Sequence, residues 1–392
     1  MHRKQGQALS ARTDFQTGGV TAFSVGHATH DTYTGFLPAL LPLFIQYLGF
    51  TKTEAGMLSM FIQAPSLVQP VIGHAADKRN LYKIVFFTPA IAAIFMSLLT
   101  RAPSFWILAG ILTFVGLNSA VIHAVGPVIT GKLSGENLGR GMSFWMVGGE
   151  LGRTLGPVII VSAVHFLGFE HLGWLMIPGI GMSIFLYARF QDLTIEHSRH
   201  PDTLPLKQAL NQMKRIMIPL SVFLCIRSFM MVSITTYLPI YLTEKGEGLF
   251  FAGAALSILE AAGVVGALSG GSLSDKLGRR NVLFISSLSS SILMLSFTLI
   301  HGVLLLPVLI LLGFASFSIT PVVMALVQES FPANRALANG VYMASNLVLR
   351  SLVIVLVGII GDHAGLHTAY LFSSGIMAAG ILVIFFLPKR SP

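Results

Sequence analysis

Residues 20–48 read VTAFSVGHATHDTYTGFLPALLPLFIQYL, from Val20 to Leu48. A helix needs about 20 apolar residues to cross a bilayer, and this stretch is long enough, yet it carries His27, His30 and Asp31 near its middle. In a helix His27 lies one turn from both His30 and Asp31, so the three titratable groups share one face. Ionisable groups at bilayer depth cost about 2.5–3.5 kcal/mol each and therefore face a bundle interior or a water-filled path. The stretch is predicted to be one wall of a helical bundle with a polar interior. Its charges form either a proton or ligand site, or a buried His–Asp hydrogen bond that clamps two helices.

The rest of the chain extends this reading. Of 392 residues, 54% are hydrophobic and 10% charged, against about 25% charged in a soluble domain. Such a composition belongs to an integral membrane protein. A single cysteine, Cys225, excludes an intrachain disulfide and a CxxC-type zinc site. The net charge of +9 does not signal nucleic acid, because the basic residues sit singly at the ends of apolar segments. Met1 to Gly19 is polar and lacks the apolar core of a cleavable signal.

Twelve apolar segments follow one another, near 20–48, 54–76, 82–100, 104–131, 139–167, 171–189, 216–242, 249–273, 280–300, 303–328, 336–361 and 367–388. They are continuous apolar runs, not the alternating ten-residue strands of a barrel. With both termini cytoplasmic, 19 of the 25 Lys and Arg fall inside, 3 outside (Lys52, Arg101, Lys245) and 3 within spans (Arg153, Arg227, Arg350). That asymmetry sets the orientation by the positive-inside rule. The expected organisation is a cytoplasmic tail (1–19), a six-helix bundle (20–190), a cytoplasmic linker (191–215), a second six-helix bundle (216–388) and a short tail (389–392). The halves read as a repeat offset by about 197 residues: Leu41-Pro42 recurs as Leu238-Pro239, Gly73 as Gly270, Asp77-Lys78 as Asp275-Lys276, and His30 falls opposite Arg227.

Six charged residues lie within spans: Asp31, Glu150, Arg153, Arg227, Glu260 and Arg350, with the histidines His27, His30 and His123. At 1.5 Å per residue, Asp31, Glu150 and Arg227 come out roughly 15–17 Å deep and Arg153 and Arg350 about 20 Å deep. Glu150 and Arg153 are three apart and can pair on one face; Arg153 to Glu260 is the rival pairing. Arginine holds carboxylate or phosphate through two parallel hydrogen bonds. Arg153, Arg227 and Arg350 are therefore the expected contacts of an anionic ligand, with Glu150, Glu260, Tyr342 and Asn346 beside them. Tyr237, Asn118, Gln63 and Gln69 are further polar candidates, although a lone polar residue in a span often makes an interhelical hydrogen bond. No nucleophile elbow, metal-ligand spacing or phosphate-binding glycine loop accompanies these groups, so no enzyme, cofactor or resident metal is assigned. His27, His30, Asp31 and His123 would suit a transition metal, but three in-span arginines repel a cation, which ranks that reading last.

The loop Gly271-Ser-Leu-Ser-Asp275-Lys276-Leu-Gly278-Arg279-Arg280 is nearly the signature Gly-x-x-x-Asp-Arg/Lys-x-Gly-Arg-Arg/Lys. The first half keeps Gly73, Asp77, Lys78 and Arg79 but not the later glycine. On these residues the chain resembles the major facilitator superfamily over its whole length. The resemblance implies an all-α membrane protein of twelve transmembrane helices in two pseudo-symmetric bundles. It also implies a cytoplasmic latch built on Asp77, Asp275, Arg279 and Arg280, in which the carboxylates pair with basic groups and a helix end.

Four patches of the first half look like the fosmidomycin-resistance group of efflux proteins: Ser24-x-x-His27-x-x-x-Asp31, Ser66-Leu-Val-Gln69-Pro70-Val-Ile-Gly73, the His123 region, and Val147-Gly148-Gly149-x-x-Gly152-x-x-x-Gly156-Pro157. The departures are specific. The arginine that proton antiporters carry in the fourth helix would fall at Leu112, the usual lysine of the seventh is Arg227, and Glu150, Arg153, Glu260 and Arg350 stand where the group has small or neutral residues. The resemblance implies a monomeric, multi-pass protein of the bacterial inner membrane. It would couple protons at Asp31, His27, His30 and His123 to export of a small anionic or amphiphilic organic compound. Proton-driven import of a carboxylate, phosphonate or metal chelate is the alternative.

Overall fold

The computed structural model describes residues 15–69, 71–72, 81–135, 137–193, 206–300, 302–331 and 335–388. Among them every regular element is helical. The α-helices are α1 (Thr17–Thr34), α2 (Phe36–Leu48), α3 (Lys52–Gln63), α4 (Thr88–Ser97), α5 (Phe105–Ser134), α6 (Leu138–Leu167), α7 (Met176–Phe190), α8 (Leu206–Thr235), α9 (Leu238–Glu244), α10 (Leu249–Leu277), α11 (Arg279–Leu299), α12 (Leu305–Ser330) and α13 (Arg335–Ile384). Nine stretches among the described residues are long and apolar enough to cross a membrane.

The predicted segments map onto these helices with instructive breaks. The opening segment is two helices, because the chain turns at Gly35 between α1 and α2. The last two segments form one continuous run, α13, interrupted by Gly365 at φ 81°, a left-handed backbone that glycine adopts without a Cβ clash. Within the stretch expected to link the two bundles, α8 starts at Leu206. From residue 211 on it is amphipathic, with Met213 and Met217 buried and Lys214 and Arg215 exposed.

Two compact units are present, one made of residues 1–36 and 65–200, the other of 37–64 and 201–392. In the first unit a core of Val20, Phe23, Phe86, Ile122, Val125, Trp145, Leu186 and Phe190 gathers side chains from α1, α5, α6, α7 and the 3-10 helix Leu81–Phe87 that precedes α4. The closest packing is between α1 and α6, and its cause is written in the glycines of α6. A Cβ at Gly148, Gly152 or Gly156 would come within 2.4, 2.3 and 2.5 Å of the carbonyl oxygens of Ser24, Ala28 and Thr32 respectively. The four-residue period on both helices lets their backbones touch, as small residues do in membrane helix pairs. In the second unit α10 and α12 use the same device, where Gly266 and Gly270 meet Phe314 and Ser318 and Gly313 meets Leu259.

Residues 37–64 belong to the second unit through α3. The Lys52 and Thr53 amides donate to the two carboxylate oxygens of Asp362 at 2.7 and 2.9 Å, and the Thr53 hydroxyl adds a third bond at 2.5 Å. Asp362 thus caps α3 from a helix more than 300 residues away, placing negative charge at the positive end of the helix dipole. Thr51 and Glu54 form a capping box on the same turn, Lys52 pairs with Glu244 at 2.8 Å, and the Tyr237 hydroxyl donates to the Ile354 carbonyl at 2.8 Å while lying 3.2 Å from that of Lys52. Asp362→Ala should lower stability by about 1–2 kcal/mol, the cost of losing a helix cap, and speed hydrogen exchange in the first turn of α3. Unchanged exchange there would show that the cap contributes nothing.

Candidate functional site

The site in the first unit starts from two neighbouring residues on α1. His27 and Asp31 are one turn apart and buried, with Nε2 3.4 Å from Oδ2. From α5, the His123 Nε2 reaches to 3.4 Å from the His27 Nε2 and 3.8 Å from the Asp31 Oδ2. The glycines of α6 make this possible. A Cβ at Gly149 would sit 2.5 Å from the His27 ring and 3.1 Å from the Asp31 Oδ2, so the bare backbone there leaves the volume that the cluster fills. The same close approach stacks the Trp145 ring on the His27 ring, 3.7 Å between centroids at 12°.

The outer hydrogen bonds settle the tautomers. His27 Nδ1 lies 3.0 Å from the Trp145 carbonyl and His123 Nδ1 lies 2.8 Å from the Ser119 carbonyl. A carbonyl only accepts, so each Nδ1 carries the hydrogen, and in a neutral imidazole the Nε2 is then a bare lone pair. His30 donates from Nδ1 to the Asp31 Oδ1 at 2.8 Å, which leaves Oδ2 for the cluster. Two nitrogen lone pairs and a carboxylate oxygen therefore converge within 3.4–3.8 Å. Three acceptors this close repel one another unless a cation lies among them. A proton or another cation among them would relieve that repulsion and balance an ionised Asp31.

Also in the first unit, Glu150 and Arg153 pair along α6 through Oε1 and Nη2, the three-residue spacing expected of one helix face. Glu260 lies half-buried on α10 in the other unit. Arg227 on α8 is buried, and its Nη2 donates to the Thr320 hydroxyl at 2.7 Å and to the Ser316 carbonyl at 3.2 Å. No carboxylate among the described residues lies within ion-pair distance of it, and its buried Nε has no hydrogen-bond partner there. The Tyr342 hydroxyl is within electrostatic reach of that guanidinium. Arg350 on α13 donates to the Thr235 hydroxyl at 3.0 Å, and Asn346, one turn away on α13, is half-buried.

Of the expected latch, Asp77 lies outside the described residues. In the second unit the corresponding residues take part in ion pairs. Arg279 pairs with Asp275 at 2.6 Å and with Glu329 at 2.7 Å, and it also donates to the Ser274 hydroxyl. Gly278, at φ 86°, makes the turn that delivers Arg279 to this position. Arg280 instead donates to the Phe385 carbonyl at 3.0 Å and lies over the Phe385 ring.

Glu329 and Asp362 were invisible to sequence reasoning, since their partners are 50 and about 310 residues away. Trp145 contributes through its backbone carbonyl as well as its ring, and for the carbonyl no side-chain signal exists. Two polar candidates have structural tasks: Asn118 donates to the Thr88 carbonyl at 2.9 Å, and Tyr237 bonds the backbone around α3. Gln63 and Gln69 are half-buried.

Comparison with known proteins follows the same lines. The model of the Major Facilitator Superfamily matches residues 23–348 and 270–392. The chain is 27% identical over 393 residues to the fosmidomycin resistance protein of Escherichia coli (strain K12), covering 97% of this chain and 95% of that one. It is 23% identical over 304 residues to a multi-drug resistance efflux pump PmrA homolog of Lactococcus lactis subsp. lactis, covering 74% and 75%. Among solved structures, a bacterial homolog of the human lysosomal transporter Spinster, in an inward-facing and occupied conformation, superposes with a TM-score of 0.77 at 14% identity over 95% of this chain and 96% of that one. The nucleoside transporter NupG superposes with a TM-score of 0.71 at 12% identity over 94% and 98%. The fold likeness extends from end to end, as does the family match, and the chain belongs to the Major Facilitator Superfamily, a multi-pass membrane transporter and not an enzyme.

Proposed function

We propose that the protein is a proton-coupled exporter of the bacterial inner membrane, with both termini cytoplasmic, moving a small anionic or amphiphilic organic compound by alternating access. The observation that carries this reading is the convergence of the His27 and His123 Nε2 lone pairs on the Asp31 Oδ2. The cluster has the composition to take up and release a proton, and Asp31 is its only fixed charge. His30, hydrogen-bonded to the other carboxylate oxygen, holds Asp31 in place and shares its charge.

The anionic preference rests on Arg227, a buried guanidinium without a carboxylate among the described residues, and on Arg350 in the same unit. An uncompensated buried charge is costly, and a carboxylate or phosphonate would neutralise it. Glu260, Tyr342 and Asn346 complete the set that the second unit would offer the substrate, and in the first unit the Glu150–Arg153 pair is the candidate contact. The names of the two relatives, a fosmidomycin resistance protein and an efflux pump homolog, favour export over import.

Expression in an efflux-deficient bacterial strain tests direction and class together. Raised tolerance to phosphonates or amphiphilic carboxylates is the expected outcome, and it should be lost when Asp31 is replaced by Asn. Growth on an organic acid as carbon source with no change in tolerance would instead mark an importer.

A further inference from the structure

We propose that His27, Asp31 and His123 form a binding site for a divalent transition-metal ion of the zinc type, with tetrahedral geometry and its fourth position open. Three observations carry it, and none depends on proton coupling. The first is the donor triangle, with sides of 3.4, 3.4 and 3.8 Å between the His27 Nε2, His123 Nε2 and Asp31 Oδ2. A tetrahedral ion with bonds of about 2.0–2.2 Å keeps its ligand atoms about 3.3–3.6 Å apart, so an ion on the axis of this triangle reaches all three donors after shifts of a few tenths of an ångström. Two imidazoles and one carboxylate with a free position are a donor set that zinc accepts.

The second observation is that each ligand is already oriented by an outer partner. His27 Nδ1 donates to the Trp145 carbonyl, His123 Nδ1 to the Ser119 carbonyl, and the Asp31 Oδ1 accepts from His30. Such partners fix the ring that ligates and the nitrogen that is left bare, and they raise the basicity of the donor. Ordinarily a buried histidine pair shows one nitrogen donating to the other; here the carbonyls have taken both hydrogens, and the two remaining lone pairs point together.

The third is access and charge. His27 and Asp31 are each about 4% exposed at the side chain whereas His123 is 34% exposed, so two ligands are dry and the third borders the open position. Of the in-span arginines, which argued against a cation on sequence grounds, the one in this unit, Arg153, is paired with Glu150.

A metal held here is an inhibitor and not a cargo, since it occupies the atoms assigned above to the proton; this consequence, unlike binding itself, rests on the coupling reading. Co²⁺ is the probe. The purified full-length protein in detergent should bind one equivalent and develop the intense visible absorption of tetrahedral cobalt, which Zn²⁺ then bleaches. His27→Ala and His123→Ala should weaken binding by more than the about 10–100-fold that loss of an outer partner costs. His123 is the more exposed ligand, so His123→Gln is the control for folding, judged by gel filtration and circular dichroism. Binding with only the weak octahedral spectrum, or binding unchanged in folded His123→Gln, overturns the site and assigns cobalt to other histidines. If cobalt binds as expected while Asp31→Asn still transports on a proton gradient, the metal site stands and the coupling reading fails. If cobalt does not bind while Asp31→Asn loses coupling, the metal site alone is lost.

Discussion

Asp31→Asn should reduce gradient-driven substrate uptake in proteoliposomes by about a hundredfold, the lower end of what removal of a positioned proton-transfer group costs, while leaving energy-independent exchange of substrate across the membrane measurable. The amide keeps the shape of the carboxylate and its bond from His30, so the α1–α6 contact should persist. What is lost is the negative charge that lets a proton rest between the His27 and His123 Nε2 atoms at no net charge. Without it an imidazolium in this apolar core is an uncompensated buried charge, and the cluster stays deprotonated on both sides of the membrane. Equal loss of exchange and gradient-driven uptake would point to a folding defect; retention of both would remove Asp31 from the coupling mechanism.

Arg227→Met is expected to raise the Kd for an anionic substrate by about 30-fold or more, because losing a buried charged partner of a hydrogen-bonded pair costs about 2–5 kcal/mol and 1.4 kcal/mol is tenfold. Stability should move the other way. The guanidinium is buried and holds one hydroxyl and one carbonyl, with no carboxylate in ion-pair reach among the described residues. An apolar side chain of similar volume at such a position is often neutral or stabilising. A structural arginine would give the opposite pattern, with falling thermal stability and unchanged affinity. Arg227→Lys separates charge from geometry, since lysine keeps the charge but cannot form the two-pronged contact with a carboxylate or phosphonate. It should recover part of the affinity and none of the geometric selectivity.

The sequence carried the membrane class, the helical architecture and the family resemblance, because apolar run length and basic-residue asymmetry are local signals. His27 and Asp31 were legible as a pair from four-residue spacing alone. Gly148, Gly152 and Gly156 entered only as a patch of family resemblance, and nothing in the order of residues says that these glycines lie on Ser24, Ala28 and Thr32. Hence the step from three titratable residues to a cluster of converging lone pairs required the fold, since it depends on the Trp145 and Ser119 backbone carbonyls. The Asp362 cap on α3 was hidden for the same reason, and so was Glu329 on Arg279.

Whether the His27–Asp31–His123 cluster carries the coupled proton is tested most directly by the proton itself. Wild-type proteoliposomes loaded with a pH-sensitive dye should show proton movement opposite to substrate when a saturating substrate gradient is imposed without a pH gradient, and Asp31→Asn should show substrate movement with no accompanying pH change. Substrate flux in the wild type with a constant luminal pH, or equal proton movement in Asp31→Asn, would contradict the account.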